Sequence, residues 1–342
     1  MKTGRLTALA ATAVLASLGL AACQTGSAPE PGPEMGNAVA APSPEAVDPT
    51  GRVIDLPADA TDVTDLAVAG ETIALRSSDA LQVGTLADFD AGAAETVEIP
   101  ETCADLTASD DTFVLACGAQ VLLVSAADPG SPTSRDVSDN APASSASLTT
   151  TGELLVGNAE QSVVSVHREG EEVETIDVAG ATDQLLAVPV TGADDVAVRS
   201  NIANTTVQDI HWEDGEQGGT LRVGVGVGQI AAGEDGLVIA SDTLGDQVAV
   251  YTATDVIRLH QTAPVAASPW GVAWDAGRDL AWVASTTGNV LASYDISSGV
   301  PEQVHTLSSV ADAHHIAVLP DGTLIAVSAT GDGLQVIDDP AA

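Results

Sequence analysis

Two adjacent histidines, His314 and His315, come closest to a chemical signature in this chain. An imidazole titrates near neutral pH and serves as acid, base or metal ligand. Asp312, two residues before the pair, offers a carboxylate. Neighbouring side chains on an extended strand face opposite ways, so the two imidazoles do not ligate one metal without distortion. The plainer expectation has one histidine packed and the other wet. His211-Trp212-Glu213-Asp214 reads as a surface turn. No Gly-x-Ser-x-Gly elbow, His-Glu-x-x-His pair, Cys-x-x-Cys-His haem site or phosphate-binding Walker loop occurs. Gly224, Gly226 and Gly228 form a glycine-rich run, but no helix follows to present its N-terminus to a phosphate. Acidic loops such as residues 242–246 match no complete calcium loop. No cofactor is therefore expected, structural calcium being the one exception entertained.

The composition excludes several functions. The chain has 342 residues, 10 basic and 49 acidic side chains and a formal charge of −39. Nucleic-acid binding is excluded, because phosphate recognition needs a basic surface to release counterions. Charge-driven docking on anionic lipid is excluded for the same reason. A 45% hydrophobic content is too high for wholesale disorder.

The elements that must position these residues recur. First strands begin at Asp65, Asp105, Ser147, Leu185, Gln229, Gly271 and His315, and each is followed by a turn and a second strand. The aligned apolar anchors are Leu66, Leu106, Leu148, Leu186, Ile230, Val272 and Ile316, with a period near 42 residues. That is the length of one four-stranded propeller blade. Third strands follow in all seven repeats and fourth strands in six, because the chain ends at Ala342. Residues 52–57 (RVIDLP) look like residues 95–100 (ETVEIP), so they are expected to supply the missing outer strand of blade seven. The expected fold is all-β: a seven-bladed propeller over residues 51–342, its last blade closed by an N-terminal strand. With aromatics at only 2%, Val, Ile, Leu and Ala must fill the space between blades.

In such a ring, the loops entering the innermost strands and those joining second to third strands share the top face. His314, His315, Asp312 and Trp270 are then expected on one rim with Arg76, Arg199, Asn201 and Asp242, a mix suited to a binding pocket. Packing between blades is the plainer role for Trp270 and Trp274. Cys103 opens the first strand of blade two and Cys117 closes the second, nearly opposite across the hairpin. A disulfide is expected there, since an even pair outside the cell oxidises. Its loop would contribute roughly 3 kcal/mol in the chain-entropy account.

The N-terminus carries Lys2 and Arg5, then an uncharged run over residues 6–20, too short for a comfortable membrane span. Leu20, Ala21, Ala22 and Cys23 follow and resemble the bacterial lipobox. The resemblance implies a lipoprotein: residues 1–22 are removed as a signal peptide and Cys23 receives the lipid. The protein would then sit on the outer face of the cytoplasmic membrane. Removing Lys2 and Arg5 takes the charge from −39 to −41. Residues 24–50 hold six prolines and no evident hydrophobic period, and read as a disordered linker after the lipidated cysteine, the two together spanning 23–50.

Within blade seven, residues 316–328 (IAVLPDGTLIAVS) resemble the YVTN repeat, and residues 334–338 (LQVID) match the strand that follows it. The repeat's Tyr is missing and Ala329 stands for its Asn; blades five and six match less well. The resemblance implies a propeller and two function classes. One is a non-catalytic module that binds a protein, glycan or small molecule at the cell envelope, expected as a monomer. The other is a lactonase-like hydrolase, using His314 or His315 with Asp312 for proton transfer on a neutral substrate at the top of the central channel. A sugar-phosphate lactone fits poorly, because only eight Arg and no Lys remain after residue 22. The binding module is the preferred reading.

Overall fold

A computed structural model describes residues 34–57 and 62–341. The signal segment, Cys23 and residues 24–33 of the linker lie outside the described residues.

Seven four-stranded antiparallel sheets form, each running in chain order from the innermost strand outward except the last. The innermost strands are Asp65–Ala69, Cys103–Ser109, Ala143–Leu148, Gln184–Val188, Val227–Ala232, Pro269–Asp275 and Ala313–Val318. In blade seven, Arg52–Ile54 pairs with Leu334–Ile337, with Arg52 opposite Val336 and Ile54 opposite Leu334. The N-terminal strand thus closes the ring as expected, and Leu334–Ile337 is not left as an edge strand. Hairpin turns use left-handed residues where the sequence supplies Asp-Gly. Asp235 (φ 50°) and Gly236 (φ 75°) are one such pair. In blade one, Thr85 caps the five-residue helix Leu86–Asp90, its hydroxyl accepting from the Asp88 amide.

The core is divided among the seven blade interfaces, each with its own apolar cluster. Between blades one and two it comprises residues such as Leu81, Val83, Phe113 and Leu115. Between blades six and seven it is built on Trp282, Leu291, Ile316 and Leu324. Aliphatic side chains do most of the filling, with one or two aromatics at some interfaces, such as Tyr251 and Tyr294. Trp212 corrects the expectation of a mere surface turn. Its ring is buried between blades three and four, and its indole N–H donates to the Asp195 carbonyl at 2.8 Å. A buried indole needs such an acceptor. Cys103 and Cys117 face each other in register and are joined by a disulfide.

The linker expectation is corrected over residues 34–50. The chain is extended, as its composition requires, but it is laid along the top face from blade four to blade seven. Gly36 N donates to Val225 O (2.8 Å) and Asn37 N to Ile202 O (2.9 Å). Further on, Ala41 N donates to Ser268 Oγ, and Asn289 Nδ2 to Pro44 O. The seat depends on small residues at alternate positions: Gly36, Ala38 and Ala40 are buried, while Met35 and Val39 face out. That is a period of two, the mark of an extended chain with one covered side. It escaped a hydrophobicity reading because the buried residues are so small. The glycine-rich run has a role here too. A Cβ on Gly226 would lie 2.6 Å from Leu244 and 3.0 Å from Ala38 of this strap.

Candidate functional site at the channel mouth

The residue before each apolar anchor belongs to the channel in five blades: Asp65, Asp105, Ser147, Gln229 and His315. At the top, a cavity of about 310 Å³ is lined from every blade, by Asp65, Asp105, Ser144, Gln184, Gln229, Trp270 and His315. A second cavity of about 220 Å³ continues below it.

Irregular pairing aims these side chains. The first-to-second strand register slips between Cys103 and Leu106, Ala143 and Ser145, Val227 and Ile230, Pro269 and Val272, and Ala313 and His315. The residues passed over include Asp105, Ser144, Gln229, Trp270 and His314. A bulge breaks strict alternation and redirects a side chain, which is why bulges gather at functional rims. Blade one is regular instead. There Asp65 is the direct cross-strand partner of Arg76, so the two side chains share a face.

The electrostatics follow from burial. Asp65 accepts from its neighbour Leu66 N and, across the blade boundary, from Leu106 N, both at 2.9 Å. Burial still raises its carboxyl from 3.8 to about 6, against the pull of Arg76 and the two amides. Asp105 is pushed well above the carboxylate range, first by burial and then by the Asp65 charge; Arg76 pulls it down. His315 is pushed down to about 3, mainly by burial and further by His314 and Arg76, so the imidazole is neutral at physiological pH. Its Nδ1 is 2.9 Å from Gln229 Nε2, reaching across from blade five, and 3.5 Å from Asp65 Oδ1. With the amide so oriented, Gln229 donates and Nδ1 accepts. Arg76 donates through one terminal nitrogen to Cys103 O at 3.2 Å, beside the disulfide. Arg76 Nε and Asp105 Oδ2 are buried without a hydrogen-bond partner among the described residues.

The other rim candidates are placed differently. Arg199 is fully buried rather than on the rim. It donates to Thr182 Oγ1 (2.8 Å), Gln208 Oε1 (2.7 Å) and the carbonyls of Gly180 and Ala181. Burial lowers its guanidinium to about 10. Asn201 donates to Ala181 O (2.6 Å) and accepts from Asn204 N (2.7 Å). Asp242 gathers three amides, Val225, Gly226 and Gly245, within 3.1 Å. Asp312 binds the strap: its Oδ1 accepts from Ser43 N and its amide donates to Ser43 Oγ, both at 2.8 Å. These four hold loops and backbone in place. His314 stands apart from His315, with its ring 6.0 Å from that of Trp270 and Nε2 4.0 Å from Asp312 Oδ1. Burial lowers its imidazole, with Asp312 opposing. Trp270 lines the mouth, whereas Trp274 packs between blades five and six.

Sequence reading reached Arg76, His315 and Trp270 of this site but passed over Asp65, Asp105, Gln184 and Gln229. The signal was present. Asp65, Asp105 and Gln229 each stand one residue before an aligned anchor, as His315 does. Among the described residues, no three His, Cys, Asp or Glu side chains are arranged to hold a metal ion.

No protein-family model matches the chain, and no curated protein does. Solved structures do resemble it. A streptogramin B lyase structure aligns with a TM-score of 0.65 at 11% identity, over 83% of this chain and 96% of that one. Virginiamycin B lyase from Staphylococcus aureus aligns at 0.63 and 12% identity, over 83% and 98%. A chain of a mitotic checkpoint complex aligns at 0.65 and 16% identity, over 87% and 97%. At such identities the likeness shows the seven-bladed fold alone.

Proposed function

We propose that this chain is a lipid-anchored binding module of the bacterial cell envelope, with a small polar ligand seated at the channel mouth. The N-terminal segment supplies the address: export by residues 1–22 and a lipid on Cys23, placing the ring outside the cytoplasmic membrane. One observation carries the binding reading. Polar groups from all seven blades converge on one cavity, and Asp105 Oδ2 and Arg76 Nε within that group lack partners. Buried polar atoms left unpaired are costly, and a ligand that meets them explains their retention.

A thermal-shift screen of the soluble form beginning at Gln24 tests this, using sugars, lactones, amines, cell-wall fragments and metal salts. A ligand that raises the melting temperature of the parent, but not of His315→Ala or Asp105→Asn, supports the site. Equal shifts in parent and variants would move the site elsewhere. For the anchor, a Cys23→Ala chain is expected in the soluble fraction of cells and the parent in the membrane fraction.

A second reading is catalytic. His315 is a neutral imidazole beside Asp65, a pairing suited to proton transfer on a neutral substrate. The structural neighbours include lyases, one of them a catalytically inactive histidine-to-alanine variant of virginiamycin B lyase with quinupristin. Turnover of a neutral lactone by the parent, lost in His315→Ala, would favour this reading over the first.

A further inference from the structure

We propose that the channel mouth recognises an organic ammonium group, taken between the carboxylates of Asp65 and Asp105. This deepens the binding reading above and rests on it. Three observations support it. The first is charge. Three carboxyl groups, Asp65, Asp105 and Asp183, line the cavity with one guanidinium and a neutral imidazole, so acids outnumber bases there. A cation offsets that excess, and a neutral ligand does not. Second, acceptors outnumber donors. Asp105 Oδ2 has no donor, and Asp65 Oδ1 lies 3.5 Å from His315 Nδ1, itself an acceptor. An ammonium brings up to three N–H donors to such a place. Third, Trp270 lines the same cavity, and an aromatic wall favours both a cation and the apolar body that carries it.

The cation is organic rather than metallic on this reading. Metal binding needs a converging set of ligands, and among the described residues no three His, Cys, Asp or Glu side chains provide one. The chain also carries no lysine beyond Lys2, so the mouth holds no built-in ammonium that would satisfy the acids from within. The strong negative charge of the whole molecule attracts cations toward the face.

Two matched probe pairs test the inference by titration calorimetry at pH 7: D-glucosamine against D-glucose, and cyclohexylamine against cyclohexanol. Each amine is expected to bind at least tenfold more tightly than its hydroxyl partner. Asp105→Asn, checked for folding by circular dichroism, is expected to reduce that preference to less than threefold. Equal binding within both pairs overturns the inference, as does an amine preference that survives Asp105→Asn. Competition of the amines by millimolar calcium chloride, with saturable calcium binding, would also overturn it in favour of a metal. Failure of the underlying reading looks different. If neutral compounds protect the mouth and amines do not, only the ammonium inference falls. If nothing binds and the mouth variants respond like the parent to every compound, the binding reading itself falls.

Discussion

The top face of the ring has two arcs that use polar residues in opposite ways. From blade four to blade seven, Asp242, Asn201 and Asp312 bind loop backbone and strap, Asp242 through Oδ1 alone with its buried Oδ2 unpaired, and Arg199 is buried beneath them. Where blades seven, one and two meet, Asp65, Asp105, Arg76 and His315 crowd together, and two of their buried atoms lack partners. The first arc is architecture. Its polar groups satisfy loop amides and carbonyls that would otherwise be stranded in a packed interior. The second arc keeps charge buried at a cost, which is the pattern expected of a site. The first arc spends most of its hydrogen bonds on backbone, whereas the second turns its unpaired Asp105 Oδ2 and Arg76 Nε toward a shared cavity, and that placement separates scaffold from function better than residue type does. Sequence reading placed Arg199, Asn201 and Asp242 in the same class as Arg76; the structure divides them.

The sharpest way to break this contrast is Arg199→Ala. It removes a buried side chain and strands Thr182, Gln208 and two carbonyls. A loss of roughly 3–5 kcal/mol is expected in urea unfolding. A loss below about 1 kcal/mol would show that Arg199 is not architecture. Asp105→Asn should act with the opposite sign. Removing a buried, poorly paired carboxylate is expected to stabilise the ring by about 1–3 kcal/mol at pH 7.5.

The pH dependence follows from the same pair. Asp65 has its carboxyl raised from 3.8 to about 6 in the fold. The folded state therefore holds a proton that the unfolded chain releases first. The stability tied to this group is fully present below pH 3.8 and is lost as pH rises through about 6. Asp105→Asn removes a second carboxyl raised by burial and so should flatten the slope over that window. Parallel pH profiles for parent and variant would refute the assignment. The smallest effect is expected from Ser43→Ala, which removes the hydroxyl that accepts from the Asp312 amide and donates to Thr286 O, while the residue-43 amide keeps its bond to Asp312 Oδ1. About 1 kcal/mol is expected, seen as faster amide exchange across residues 34–50 with little change in overall melting.

Much of this was already legible in the residues alone. The 42-residue period of anchors such as Leu66, Leu106 and Ile316 dictates the blade count, because a stack of small sheets must bury one face on each neighbour. The likeness of residues 52–57 to 95–100 shows how the ring closes, and the placement of Cys103 and Cys117 predicts their bond. All of this depends on local pattern and on how many residues a strand needs. The site and the strap depend on something else. A five-fold set of register slips turns Asp105, Ser144, Gln229, Trp270 and His314 out of simple alternation. No period in the sequence announces a bulge, because it is settled by how two strands and the next blade pack together. The strap is decided in the same way. Gly36, Ala38 and Ala40 bury too little apolar surface to stand out as a face, and it is backbone hydrogen bonds to distant loops that seat them. The repeat pattern governs the ring; contacts between blades decide which of its polar residues remain free to meet a ligand.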